Sequence, residues 1–191
     1  MVGAVGQNAP ILTVASFRMW LESRPEEEHW ELIGGVPVMM TPPNRRHQRI
    51  ASNLEALLNA ALKRHDPGLA AYHDIGVNIV STVPYDPEPD VAVIREDENP
   101  DPRYAERFYL VAEVLSESDR GVIESKREIY RAHPSCLCIL LVRQDRVEIT
   151  VDRRVGDGWV SQVLDGSDEL AVSEFGLACA VKDVYRDTPL G

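Results

Sequence analysis

The sequence has few cysteines, few aromatic residues and no long apolar run. Three of its 191 residues are cysteine, and 6% are aromatic. No stretch approaches the roughly 18 consecutive apolar residues of a membrane-spanning helix, and segment 1–14 lacks the basic start and continuous apolar run of a signal peptide. We therefore expect a cytoplasmic protein with no membrane partner.

The cysteines also exclude a zinc site of common spacing. Cys136 and Cys138 lie within an apolar run, and Cys179 is far away in the sequence. This spacing matches no known pattern of metal-binding cysteines, so we expect small buried side chains in a strand and in the tail.

Negative charge is in excess but unevenly distributed. The formal net charge of −11 argues against indiscriminate binding of nucleic acid, because attraction of phosphate normally needs a basic surface. Segment 81–125 holds 12 acids and 4 bases, whereas segment 41–65 holds five bases and one acid, and segment 126–154 holds seven bases and four acids. A nucleic-acid partner is therefore not excluded, although part of the acidic segment can be an ordinary solvated loop.

The pattern of apolar residues predicts an alternation of helices and strands. Thr13 is a plausible N-cap for a short helix to about Leu21, and an extended pair follows around Gly34-Gly35. Apolar residues at helical spacing predict an amphipathic helix over 45–64. Further segments are strands at 71–80, 90–94, 108–115 and 136–142, a helix at 121–132, and a terminal hairpin from 147–151 and 159–163.

This order predicts a fold of the α/β class with a mixed α+β sheet. Its core order is helix, three strands, helix and strand, over about residues 45–143. The helix and hairpin at 13–40 and the hairpin and tail at 146–191 are additions to one domain, 1–191. Strands that are apolar on both faces, such as 109–115, indicate a sheet covered by helices.

Three residues within or beside these apolar segments carry chemistry. Glu113 lies in a run that should be buried, where an unpaired carboxylate is costly and needs a partner such as a metal ion. Asp90 begins another apolar strand, at a position where side chains can converge on a shared site. Lys126 lies within the apolar stripe of the helix that follows Glu113. Two carboxylates, a hard divalent cation and a lysine suit phosphodiester hydrolysis.

Each of the three residues also has an ordinary structural explanation. An aspartate at a strand end is a common turn former. A lysine at the edge of an apolar stripe can extend its ammonium group to water. The coincidence of all three residue types favours a shared site.

Six sequence strings carry a family resemblance. They are WELIGG at 30–35, MMTPP at 39–43, RHQRI at 46–50, PD at 89–90, EVLS at 113–116 and KREIY at 126–130. In this order they resemble the Uma-type family of restriction endonucleases, a branch of the PD-(D/E)XK nuclease superfamily. The likeness extends from about Thr13 to Tyr185, and the ordered set is far more specific than any single string.

The resemblance implies a restriction-endonuclease-like core with a Mg²⁺ or Mn²⁺ site. It assigns Asp90, Glu113 and the Val114 carbonyl to the metal. Lys126, with Tyr130 four residues later, takes the lysine role from a helix, because Leu115 occupies the position two residues after Glu113. Further site residues implied by the resemblance are Glu31, as a metal or water contact, and His47 and Gln48 at the start of the long helix.

Alternatives and departures remain at several of these positions. Glu31 can equally be a solvated residue of the hairpin, and His47 can be a packed, hydrogen-bonded histidine. Family members commonly have Asp at the position of Gly34, Ser-Pro at that of Ser116-Glu117, and an acidic residue at that of Val122.

The first functional hypothesis is therefore a metal-dependent endonuclease acting on DNA. Candidate phosphate contacts near the acidic centre are Arg45, Arg46, Arg49, Lys63 and Arg64. A catalytically weak or inactive scaffold or binding protein is the alternative, and another phosphorylated substrate is a third possibility. By analogy with the superfamily we expect a homodimer, with the 147–163 hairpin as one possible interface.

Overall fold

A computed structural model of the chain describes residues 11–79, 81–116 and 121–191. The helices are α1 (Val14–Leu21), α2 (Arg45–His65), α3 (Ile123–Ala132) and α4 (Val181–Val184). The strands are β1 (Trp30–Ile33), β2 (Val36–Met39), β3 (Leu69–His73), β4 (Gly76–Val77), β5 (Val91–Arg95), β6 (Tyr104–Ala105), β7 (Phe108–Leu115), β8 (Cys138–Arg143), β9 (Glu148–Val155), β10 (Gly158–Asp165), β11 (Glu169–Val172) and β12 (Leu177–Ala180). No helix within these ranges combines the length and apolar character that a membrane crossing needs.

A six-stranded mixed sheet forms the centre of the fold. Its strand order is β10-β9-β8-β7-β5-β3. The pair β7–β8 is parallel, and the other four pairs are antiparallel. Helix α3 connects the two parallel strands, since a parallel pair needs a crossover rather than a tight turn. The predicted mixed α+β sheet is confirmed.

The two faces of this sheet are covered by different helices. Helices α2 and α4 pack with β11 and β12 against one face, in a core that includes Leu110, Ala112 and Val114 of β7. Helix α3 packs against the other face, where Val111 contributes to the core. Because side chains alternate along a strand, Glu113 follows Val111 onto the face that carries α3. The buried alternation of β7 therefore directs Glu113 towards Lys126.

Helix α2 begins at a side-chain cap. The Asn44 carboxamide oxygen accepts hydrogen bonds from the backbone N–H groups of Arg46, at 3.0 Å, and His47, at 3.1 Å. Such a cap satisfies N–H groups that have no partner inside the helix. It fixes where the helix starts and hence where its first side chains lie.

The predicted segments agree with the structure except at 71–80. The long helix, the strands of the core, the second helix and the terminal hairpin are all present, and β9 and β10 of this hairpin extend the central sheet. The extended run from residue 71 ends at His73, because Asp74 has φ +48° and turns the chain. Strand β4 then pairs with β6 in a separate sheet, and Val80 lies outside the described residues.

The cysteines are buried or partly buried in strands and beside them, close to the prediction of small buried side chains. Cys136 and Cys138 are buried beside or within β8, and Cys179 is partly buried in β12. The tail after residue 165, where no helix or strand was predicted, forms β11, β12 and α4.

A buried aspartate fixes helix α3 to the sheet. Asp152 of β9 has no exposed surface, and its carboxylate accepts hydrogen bonds from Arg127 at 2.6 and 2.8 Å and from Arg131 at 2.7 Å. Ser161 of β10 donates to the same carboxylate. Burial alone would raise the pKa of Asp152, but the bonds from Arg127 and Ser161 and the charges of both arginines lower it below its ordinary value. We call this group, Asp152 with Arg127, Arg131 and Ser161, the α3 clamp.

We expect Asp152→Ala to destabilise the protein by about 2–3 kcal/mol. This is below the roughly 3–5 kcal/mol of fully buried pairs, because both arginines are partly exposed and can be hydrated. The melting temperature should fall by about 2–4 °C per kcal/mol in a chain of this size. Thermal and urea unfolding measure the loss, and Asp157→Asn, at an exposed aspartate in the β9–β10 turn, is the control.

The pH dependence follows from the lowered pKa of Asp152. Its contribution to stability is fully present above about pH 4, near the ordinary aspartate pKa, and is lost as the pH falls through the lower pKa of the folded state. The stability difference between wild type and Asp152→Asn should therefore shrink below about pH 4. A difference that stays constant there would contradict an ionised Asp152.

Candidate active site

A cavity of about 300 Å³ opens between the start of α2, the β1–β2 hairpin, β7 and α3. We call it the acidic pocket, because carboxylates dominate its lining. Its carboxylates are Glu27, Glu31, Asp74, Glu88, Asp90 and Glu113, and its other lining residues are His29, Met40, Thr41, Pro42, Pro43, Asn44, His47, Val114, Ser116, Lys126 and Gln144. Lys126 and two histidines are the basic side chains among these, so the pocket suits a cation.

A buried lysine lies at the centre of the pocket. The Lys126 ammonium nitrogen is 2.7 Å from Glu113 Oε1 and 3.1 Å from Glu31 Oε1, and its side chain is 3% exposed. Tyr130, one helical turn after Lys126, donates its hydroxyl to Glu113 Oε1 at 2.7 Å. The structure therefore brings three predicted residues, from β1, β7 and α3, into direct contact.

Burial and neighbouring charges shift the pKa values of this group. Desolvation, together with the charges of Asp90 and Glu31, raises the pKa of Glu113 to about 8 against the attraction of Lys126. Burial alone would lower the pKa of Lys126, but the charges of Glu113 and Glu31 raise it above its ordinary value. Lys126 is consequently protonated at neutral pH, whereas Glu113 readily takes up a proton unless another cation approaches.

Asp90 is held at the mouth of the pocket, directly before β5. Its Oδ2 accepts the backbone N–H of Val114 at 2.6 Å and lies 3.4 Å from His47 Nε2. Its backbone carbonyl is 3.1 Å from His73 Nδ1, and His73 Nε2 is 2.7 Å from Glu55 Oε2. Contacts with α2 and β7 thus fix the position of Asp90. Its negative charge contributes to the raised pKa of Glu113.

Glu31 is buried in β1 and is not the solvated hairpin residue considered above. It is 1% exposed, and Glu88 donates its backbone N–H to Glu31 Oε1 at 3.1 Å. The other oxygen, Oε2, is buried and has no hydrogen-bond partner among the residues that the structure describes. A buried carboxylate oxygen without a donor is costly, so it favours a further cation or water at this position.

The remaining predicted residues lie along helix α2. His47 faces the acidic pocket, whereas Arg46 and Arg49 line a neighbouring cleft together with Arg45. Gln48 is exposed and lines neither cavity. Lys63 and Arg64 are about 27 Å from Arg45 along the helix axis, so the structure does not bring them to the site.

The pocket has no ready-made set of three metal ligands. Within ranges 11–79, 81–116 and 121–191, no three His, Cys, Asp or Glu side chains are grouped closely enough to hold a metal ion. Lys126 lies between Glu31 and Glu113, and this contact separates the acids. Two carboxylates remain a sufficient protein contribution for Mg²⁺, which usually keeps several waters.

Comparison with known proteins identifies the family. The model of the Uma2 family, described as "Putative restriction endonuclease", matches residues 14–182. The chain belongs to the Uma2 family. No curated protein matches the sequence.

A solved structure of another protein has a fold similar to that of this chain. The crystal structure of a "putative nuclease belonging to DUF820" from Anabaena variabilis superposes on the chain with a TM-score of 0.73 and 19% sequence identity. The alignment covers 91% of this chain and 97% of that protein. The likeness shows that the two proteins share a fold.

One departure from the Uma2 pattern has a simple physical explanation. Gly34 has φ +62° and Gly35 has φ +79°, as in a two-residue hairpin turn. Aspartate, which family members commonly have at position 34, is among the residues that best tolerate this conformation. Glycine therefore preserves the turn of the β1–β2 hairpin, whose first strand carries Glu31. A second departure, Glu117 in place of proline, lies outside the described residues.

The sequence interpretation missed Glu88 and Asp74 as members of the pocket. Desolvation, Glu31 and Asp74 raise the pKa of Glu88, although His29, whose Nε2 is 3.3 Å from the Glu88 carboxylate, lowers it. A signal for Glu88 was present, because it precedes Asp90 by two residues and alternate residues of an extended segment share a side. Asp74 gave no local signal, since the turn at this residue brings it to the pocket.

We expect Lys126→Met and Glu31→Gln to be strongly coupled in stability. Each substitution removes one partner of a buried ion pair, so the second one costs less once the first is present. The free energy of unfolding lost by the double variant should be smaller than the sum of the two single losses by about 0.5–3 kcal/mol. Urea unfolding with a chelator measures these losses.

The control cycle combines Lys126→Met with Glu174→Gln. Glu174 is exposed next to Phe175, which belongs to the core on the opposite face of the sheet. These two substitutions should be additive. If the losses of unfolding free energy in Lys126→Met and Glu31→Gln were also additive, the contact between the two side chains would contribute nothing to stability.

Proposed function

We propose that the protein is a divalent-metal-dependent endonuclease that hydrolyses phosphodiester bonds in DNA. The main support is the convergence of Asp90, Glu113 and Glu31 on one pocket around the buried ammonium group of Lys126. Membership of a nuclease family implies a nucleic-acid substrate. Beyond family membership, we propose the divalent metal, DNA as the substrate and the roles of the individual residues.

The chemistry of the donor groups fits Mg²⁺ or Mn²⁺. Asp90 and Glu113, with the Val114 carbonyl, offer hard oxygen ligands of the type that these ions prefer. The pKa of Glu113 is raised first by desolvation and then by the negative charges of Asp90 and Glu31, and Oε2 of Glu31 is buried without a partner among the described residues; a bound cation would relieve all three. Bound there, the metal would supply Lewis-acid stabilisation of phosphate charge and a more acidic water.

The protein's own side chains then hold and balance the reacting groups. Lys126 stays protonated, so it acts as a hydrogen-bond donor and positive charge towards the phosphate rather than as a base. Tyr130 and Lys126 hold the Glu113 carboxylate, while the Val114 N–H and His47 orient Asp90. Glu31 holds Lys126 from the side of β1, and its role as a metal ligand remains a prediction.

A homodimer is part of the proposal by analogy with the superfamily, because cutting both strands of a duplex needs two sites. The β9–β10 hairpin is the candidate interface, since Val155, Val160 and Val163 are about 60% exposed there (62%, 58% and 61%). Light scattering of the purified protein measures its mass directly.

We expect Mn²⁺- or Mg²⁺-dependent cleavage of DNA that is lost in site variants. Asp90→Ala, Glu113→Gln and Lys126→Met should each reduce the rate by at least about 100-fold, the scale expected for removing one preorganised charged group. The assay uses duplex, single-stranded and branched DNA with each metal and with a chelator. Folding of each variant is checked by circular dichroism.

Glu174→Gln is the matched control for these variants, because it removes a carboxylate from an exposed position outside both cavities. It should cleave at the wild-type rate. Cleavage unchanged in Asp90→Ala and Lys126→Met would overturn the proposed site. Metal binding without cleavage of any substrate would instead support the alternative, a nuclease-fold scaffold without turnover.

Metal affinity should rise with pH. Glu113, whose pKa is about 8 in the metal-free protein, must lose its proton before it can bind a cation. The affinity for Mn²⁺ should therefore increase from about pH 6 to pH 8 and then level off. Calorimetry near pH 7 in buffers of different ionisation enthalpy should detect release of close to one proton per metal ion.

Glu113→Gln tests the origin of this proton. The variant should bind Mn²⁺ more weakly and release almost no proton. Proton release that persists in Glu113→Gln would assign the titration to another group.

A further inference from the structure

A second cavity of about 670 Å³ adjoins the acidic pocket. Asn44, Ser116 and Gln144 line both cavities and form the wall between them. We call the second cavity the arginine cleft. Its charged lining residues are four arginines, Arg45, Arg46, Arg49 and Arg143, and two aspartates, Asp145 and Asp187.

Two arginines of the cleft are available to bind an anion. Arg45 and Arg49 are exposed, one helical turn apart on α2, and no ion pair or hydrogen bond of either is found within the described part of the chain. Arg46 is partly committed, since it donates to the Gln144 carbonyl at 3.1 Å. The cleft thus presents adjacent guanidinium groups next to a candidate phosphodiesterase site.

Arg143 adds a fourth guanidinium that is occupied by a carboxylate. Its Nε and Nη2 donate to the two oxygens of Asp145, each at 3.0 Å. This is the two-point geometry in which a guanidinium also binds a phosphate. Asp145 is 55% exposed, so it can give way to a competing anion.

The composition of the cleft favours phosphate over bases as the group it contacts. No aromatic side chain lines it within the described residues, and stacking on aromatic rings is the common way to hold unpaired bases. Arginine contacts to phosphate position a strand without reading its sequence. Glu27, Asp74 and Glu88 line the acidic pocket but not the cleft, and their negative charges repel phosphate.

We propose that the arginine cleft is a subsite for the phosphates that flank the scissile phosphodiester on one side. Arg45 and Arg49 bind the sugar–phosphate backbone, and Arg143 joins them when a phosphate displaces Asp145. A bound strand therefore leaves the acidic pocket towards the cleft, and not past Glu27 and Glu88. This inference rests on the proposed function, because it places the substrate of that site.

The experiment measures binding of fluorescently labelled DNA of 20 nucleotides by anisotropy, with a chelator and across a range of NaCl concentrations. Arg45→Gln/Arg49→Gln should weaken binding at least about 10-fold, and the slope of log affinity against log salt should fall by about 1.4–1.8. Lys63→Gln/Arg64→Gln is the matched control. It removes the same charge from the same helix about 27 Å away, and its slope should equal that of wild type.

Asp145→Asn provides a gain-of-binding test that a folding defect cannot imitate. It frees Arg143 and removes a negative charge, so binding should tighten by about 2- to 10-fold. Tighter binding should disappear when Arg143→Gln is added. The subsite would be overturned if Arg45→Gln/Arg49→Gln and Lys63→Gln/Arg64→Gln weakened binding equally. Absence of DNA binding by wild type, or no tighter binding by Asp145→Asn, would also overturn it.

Failure of the subsite and failure of the proposed function give different results. Calorimetry should show that Arg45→Gln/Arg49→Gln binds Mn²⁺ as wild type does, because neither arginine lines the acidic pocket. Arginine-dependent DNA binding without metal binding by wild type would support the subsite and overturn the metal-dependent site. Metal-dependent cleavage whose rate is unchanged by substitution of Arg45, Arg49, Arg143 and Asp145 would overturn the subsite and leave the proposed function intact.

Discussion

The ammonium group of Lys126 is the contact on which the geometry of the candidate site depends. It binds Glu31 and Glu113 at once, so a single buried charge joins β1, β7 and α3, which are far apart in sequence. Burying a lysine and two carboxyl groups away from water is costly, and such a group rarely increases stability over apolar packing. This cost is consistent with the functional role that we propose for the group, which the surrounding fold holds in place. The α3 clamp supplies part of that support from the neighbouring strands β9 and β10.

Charge distribution, rather than net charge, reconciles an acidic protein with a nucleic-acid substrate. A net charge of −11 opposes association with DNA in general. Six carboxylates nevertheless line the acidic pocket, where a divalent cation would offset part of their charge, and the adjoining cleft is lined by Arg45, Arg46, Arg49 and Arg143. Local fields of opposite sign, side by side, favour one placement of a strand and disfavour binding elsewhere on the surface.

The sequence predicted those parts of the site that leave a local pattern. Glu113 and Lys126 stood out because charged residues lie within buried apolar periodicity, and the structure brings them together. Asp90 depended mostly on the family resemblance, since an aspartate at a strand end has many ordinary roles. Residues joined only by tertiary structure were not predictable. Asp152 and Arg143 look like ordinary strand residues until the pairing of β8 with β9 places Asp152 beside α3, and the pairing of β7 with β8 places Arg143 at the cleft that the start of α2 lines.

The position of the lysine has a consequence for how the site is controlled. In the PD-(D/E)XK pattern, which the sequence resembles, the lysine follows the acid by two residues on the same strand, whereas here Leu115 occupies that position. Leu115 lies on the same face as Glu113 and packs with the core beneath α3, so Lys126 reaches the same region from the helix above. Its distance to Glu113 then depends on how α3 docks, and hence on the clamp at Asp152. Loosening of the clamp should consequently move Lys126 relative to Glu113 while leaving Asp90 and the strand framework in place.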